Sequence, residues 1–138
     1  MRFGSIGLAA AIALACASMA QAATVHFTAA LKGSTPDAAA GKGEVKASLD
    51  TATKVFTYSA TYSGLTGPAT AAHFHGPAEP GANAPPVVPV ANPASPIKGE
   101  ATLTDAQIAN LTAGKWYFNV HTAAHPPGEI RGQVTKAH

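Results

Sequence analysis

The residues of this chain with the clearest chemical potential are histidines, and two of them have the spacing of a strand. Ala72-His73-Phe74-His75-Gly76-Pro77 sets one aromatic residue between two imidazoles. Side chains alternate across a strand, so with Phe74 turned into a core, His73 and His75 share the opposite face. Their Cβ atoms then lie roughly 7 Å apart, close enough for the rings to converge. Gly76-Pro77 ends the run. A third histidine, His121, lies in Asn119-Val120-His121-Thr122 and opposes Trp116, Phe118 and Val120. If the two strands are neighbours, about 4.8 Å apart, all three imidazoles reach one ion from the outer surface. His125, in a turn four residues after His121, is a possible fourth ligand. Imidazoles without a thiolate suit Cu(II), with Zn(II) as the second choice. Three protein ligands leave an open, reactive position; four close the site. The competing reading of each histidine is an outward polar strand or loop residue that binds nothing. His26, on the polar face of an opening strand, and His138, the last residue, take that reading.

Other chemistry has less support. There is no Ser-centred nucleophile motif and no phosphate-cradling loop. Glu129 and Arg131 are two apart on one strand and so share an outward face. They form a surface pair or bond to a neighbouring loop, or Arg131 steers an anion toward the histidines. Nine Lys and Arg stand against seven Asp and Glu, with no basic tract. That balance argues against a nucleic-acid partner or an anionic membrane surface.

The start of the chain has the composition of a leader. Met1-Arg2 is followed by an almost wholly apolar, small-residue run to Met19, and Ala20-Gln21-Ala22 fits a small-x-small cleavage pattern. Residues 1–22 are expected to be a secretory signal peptide, which makes the protein secreted or periplasmic. The run is too short for a comfortable membrane span. Cys16, the only cysteine, would leave with it, and Ala13 stands where a lipoprotein signal would have Leu. The remaining 23–138 suits one domain with its own core, and has no disulfide or thiolate ligand to offer.

The elements that must position the histidines are strands. Thr24 to Leu31 alternates, with Val25, Phe27 and Ala29 on one face. Glu44–Asp50 and Val55–Tyr62 alternate on either side of Asp50-Thr51-Ala52-Thr53, as a hairpin does. Residues 77–96 are dense in Pro, Gly, Ala and Asn. Val87, Val88 and Val90 suggest a short edge strand there, within a functional loop or a strap over a sheet edge. Ile97–Leu103 is another strand. Thr104 and Gln107 form a capping box, Leu103 and Ile108 have staple spacing, and Gly114 ends a single short helix. Lys115–Thr122 places Trp116 inward, and Glu129–Lys136 closes the chain around Gly132, a bulge or close-packing position. Seven or eight short strands and one helix predict an all-β, antiparallel, immunoglobulin-like β-sandwich/barrel.

Several of these segments together resemble a known module. Ala72-His73-Phe74-His75-Gly76-Pro77-Ala78, the Pro/Gly/Val-rich stretch after it, Gly99-Glu100-Ala101-Thr102-Leu103-Thr104, Gly114 to Thr122, and Gly128-Glu129-Ile130-Arg131-Gly132-Gln133 resemble the CHRD domain named from chordin. The likeness runs from about Val25 to Val134 and implies a secreted β-sandwich, in the single-domain form of bacterial proteins. His73, His75 and His121 match family positions. His125 stands where the pattern usually has Asn, and Ser34-Thr35-Pro36-Asp37 replaces a Glu-Val-Pro-Pro-like stretch. More distantly, a His-x-His strand outside a barrel resembles copper/zinc superoxide dismutase. Three functions follow as alternatives. They are an exported copper-binding domain, a non-metal extracellular recognition or adhesion module with a protein partner, and a copper redox enzyme.

Overall fold

A computed structural model describes residues 21–138. The expected leader, apart from Gln21 and Ala22, and Cys16 with it, lies outside the described residues. Eight strands are present: β1 Thr24–Gly33, β2 Lys42–Asp50, β3 Val55–Ser63, β4 Ala69–His75, β5 Pro86–Pro89, β6 Ile97–Thr102, β7 Trp116–Thr122 and β8 Ile130–Lys136. The one α-helix, α1, is Asp105–Thr112. Its Thr104 cap accepts from the Gln107 amide while the Gln107 side chain accepts from Thr104, the reciprocal capping box expected. Among the described residues no helix is long and apolar enough to cross a membrane.

All pairings are antiparallel and form one sheet in the order β5-β4-β7-β8-β1-β2-β3-β6, rolled into a nearly closed barrel. The expected all-β architecture with one short helix is what forms. Phe56 of β3 meets Phe74 of β4 and Trp116 of β7 edge-on, with ring centroids 5.2 and 5.6 Å apart. Those contacts cross the core and bring the two halves of the sheet face to face. The inward residues are those the alternation marks, Phe27, Ala29, Val45, Leu49, Phe74, Trp116, Phe118 and Val120 among them.

Residues 77–96 form a strap. Val88 of β5 pairs with Phe74 at the sheet edge, and both are buried. The segment before β5 folds over the outer face of β4, β7 and β8, where four outward side chains hold it. Arg131 donates from Nη1 to Asn83 Oδ1 at 2.7 Å and from Nη2 to the Ala82 carbonyl. Gln133 Nε2 donates to the Ala78 carbonyl at 3.0 Å. The Tyr117 hydroxyl lies 3.1 Å from both the amide and the carbonyl of Ala84. His75 Nδ1 donates to the same carbonyl at 2.8 Å. The outer face is therefore covered here: Tyr117 and Asn119 point outward, yet are buried.

Glu129 departs from the expected outward pairing with Arg131. It is fully buried. Gly128, at φ 127°, turns the chain just before it, so Glu129 and Ile130 both face inward and the alternation begins only afterwards. Its carboxylate accepts from the Thr66 amide at 2.8 Å, from the Thr66 hydroxyl, and from the Thr122 hydroxyl at 2.9 Å. Its backbone amide donates to Val120 and its carbonyl accepts from Ser34, each at 2.8 Å. One residue thus ties the turns before β2 and β4 to β7. Burial pushes its carboxyl up, but the Thr66 and Thr122 hydrogen bonds and nearby His125 outweigh that and hold it below the ordinary value. A depressed carboxyl stabilises the fold above its unfolded pKa and loses that contribution as pH falls through the folded one. Glu129→Gln is expected to lose about 1–2 kcal/mol at pH 7 and to flatten the acid limb of stability. Urea unfolding at pH 7 and pH 4 measures both.

Candidate metal centre

The outer face of β4 and β7 carries the histidine cluster. The register pairs Ala71 with His121, His73 with Asn119 and His75 with Tyr117. His121 is therefore diagonal to His73, and the three histidines share the face opposite Phe74 and Phe118. One nitrogen from each of His73, His75 and His121 lies within 4.8 Å of the other two. His73 Nδ1 is 3.2 Å from His121 Nε2, a single-proton contact. The three rings pack edge-on or tilted, 5.1 to 6.2 Å between centroids.

Two backbone carbonyls orient the rings. His121 Nδ1 donates to the Pro126 carbonyl and His75 Nδ1 to the Ala84 carbonyl, both at 2.8 Å. With that proton fixed, Nε2 of His121 keeps its lone pair, the arrangement that metal-binding histidines use, while His75 Nε2 is turned to the Asn119 carboxamide. The turn after β7 supplies one carbonyl and the strap the other. His75 also stacks on Tyr117, centroids 4.7 Å apart with rings 3° from parallel. Asn119, opposite His73, places Oδ1 2.9 Å from His75 Nε2. Its carboxamide is a further polar group at the centre of the cluster, one that alternation put on this face but that no spacing marked as functional.

The surfaces expected for the histidines need correction. His73 and His121 are half-buried, and His75 is buried beneath the strap rather than on open surface. Burial, and then the neighbouring His121 and His75, hold the His73 imidazole below its ordinary pKa. A base depressed in this way contributes stability above about 6.5, the unperturbed histidine value, and loses it as pH falls below that toward the folded pKa. Metal-free protein is therefore expected to lose more stability between pH 7.5 and pH 5.5 than a His73→Gln variant does, compared by urea unfolding.

His125 lies outside this cluster. The turn after β7 carries it toward the loop between β1 and β2. There Nε2 is 3.1 Å from Asp37 Oδ2, off the line of a hydrogen bond, and 4.0 Å from Glu129 Oε1. Asp37 is held below its ordinary pKa chiefly by the Thr35 hydroxyl, with His125 adding to the effect. His26 and His138 are exposed.

No curated protein and no solved structure matches the chain. The CHRD domain family matches residues 27–134, from the inward Phe27 of β1 to the inward Val134 of β8, with the histidine strands and the strap between them. Over nearly all of its described length, therefore, the chain belongs to the CHRD domain family.

Proposed function

We propose that this CHRD domain binds one divalent metal ion, copper foremost, through His73, His75 and His121. The observation that carries the reading is the convergence of three imidazole nitrogens within 4.8 Å, from strands that the register makes neighbours. The Pro126 carbonyl that fixes the tautomer of His121 supports it, since an incidental surface histidine needs no such orientation. Nitrogen donors without thiolate favour Cu(II) over Zn(II), which places copper first. Three ligands leave a position for water or another ligand. His125, engaged with Asp37 and Glu129, is not part of the proposed set.

The protein acts in this reading as an exported metal-binding domain. The apolar N-terminal run ending in Ala20-Gln21-Ala22 supports export. The strap bears on the alternative of a recognition module. It is pinned to the sheet by Arg131, Gln133, Tyr117 and His75 instead of projecting as a binding loop. Cu(II) added to metal-free protein at pH 7.5 is expected to bind at one equivalent. Its electron paramagnetic resonance spectrum is expected to show nitrogen hyperfine splitting from imidazole. A spectrum of aquated copper alone would refute the proposal.

A further inference from the structure

Beside the histidine cluster, a row of cations crosses the outer face. In register, Arg131 of β8 stands opposite Lys32 of β1, and Lys32 stands opposite Lys42 of β2. Leu31 and Ile130 point into the core, so their neighbours Lys32 and Arg131 share the outer face. Like charges directly opposite across strands repel, and here two such pairs are consecutive. Among the described residues none of the three has a carboxylate partner. The ion pairs present there are Lys46 with Glu44, Lys54 with Asp105, Lys115 with Glu79, and His125 with Asp37 and Glu129. The acid nearest in sequence to Arg131, Glu129, is turned into the core.

Lys32 and Arg131 line one wall of a cleft of about 580 Å³ between the strap and the turn after β7. His125 lines it as well, and no Asp or Glu does. The rest of the lining is neutral, with Pro80, Pro126 and Pro127 supplying stiff apolar surface. Arg131 is held in place, its guanidinium 3.6 Å from the centroid of the Tyr117 ring and hydrogen-bonded to Asn83 and Ala82. These acceptors are neutral, so the charge is fixed in position and left uncompensated. A concave, basic wall with a pre-positioned guanidinium concentrates anions, with Asp37 the one acid beside it, engaged with Thr35 and His125. The volume is that of a small-molecule site.

We propose that this cleft binds a small oxyanion ligand, a carboxylate or phosphate group seated between Lys32 and Arg131, with its apolar part against the prolines. Lys42 extends the attracting field beyond the cleft. The ligand supplies the negative charge that the row lacks.

The test is a titration of amide resonances in the metal-free protein with sodium phosphate and, separately, with sodium succinate. Sodium chloride at matched ionic strength is the reference. At least one of the two oxyanions is expected to give saturable shifts at Lys32, Gly81, Gly128 and Arg131 that chloride does not reproduce. Phosphate alone, or succinate alone, identifies the head group. Lys32→Glu supplies the missing carboxylate from within the chain. It is expected to raise the melting temperature by about 2–4 °C and to weaken oxyanion binding at least tenfold. Lys98→Glu, the same charge change on the exposed edge strand β6, is expected to leave oxyanion binding at its wild-type level. Identical behaviour in chloride, or equal weakening by Lys98→Glu, would overturn the proposal, because either result reduces the effect to net charge.

Discussion

Trp116→Ala is expected to cost about 3–5 kcal/mol of stability, the loss that follows truncation of a large aromatic in a packed core. Trp116 is fully buried at the start of β7 and meets Phe56 edge-on across the barrel and Phe74 beside it. Gly76 is packed against it as well. A Cβ built on Gly76 would stand 2.5 Å from Trp116 Cδ1, which is why the His-Phe-His strand ends in glycine. The indole N–H has no hydrogen-bond partner among the described residues, so the residue contributes through volume and contact. Trp116→Phe should consequently recover most of the loss, whereas a residue held by its N–H would not be rescued. Chemical denaturation of both variants checks this. Wild-type stability in the alanine variant would contradict the inward assignment of β7, and His121, fixed by the same alternation, would move with it.

Much of this fold is legible from period-two patterning because most strands bury one face. Phe27, Ala29 and Leu31, or Trp116, Phe118 and Val120, can go inward together only if the residues between them go outward. The shared face of His73, His75 and His121 follows from that alone. The helix is legible from the Thr104 and Gln107 caps, since those are local chemistry. Burial of the outer face is not local. Tyr117 and His75 alternate as exposed residues do, and are covered only because the strap folds back on them, its Ala84 lying 33 residues from Tyr117 and nine from His75. The inward turn of Glu129 is not legible, because Gly128 breaks the alternation two residues before the strand begins and the partner Thr66 is 63 residues away. Proximity in sequence sets His125 beside the other histidines, whereas the turn carries its ring to Asp37. The cation row became visible only with the strand order, because no sequence pattern places β8 between β7 and β1.

The metal site makes the second large prediction. Removing a carbonyl or carboxylate that merely orients a ligand typically costs 10–100-fold in affinity, so removing a ligand itself should cost more. Each of His73→Ala, His75→Ala and His121→Ala is accordingly expected to weaken Cu(II) binding by more than about a hundredfold. His125→Ala should have a small effect, because its ring is turned to Asp37 and Glu129. His26→Ala, an exposed strand histidine, should have none. Wild-type affinity should fall as pH drops through about 6.5, since imidazole must be unprotonated to bind. The most direct measurement is calorimetric titration of Cu(II) at pH 7.5 into wild type and these five variants. The structure predicts one strong site, lost in the His73, His75 and His121 variants and kept in the His26 and His125 variants. No stoichiometric copper uptake by wild type, or a His26→Ala loss as large as that of His73→Ala, would contradict it.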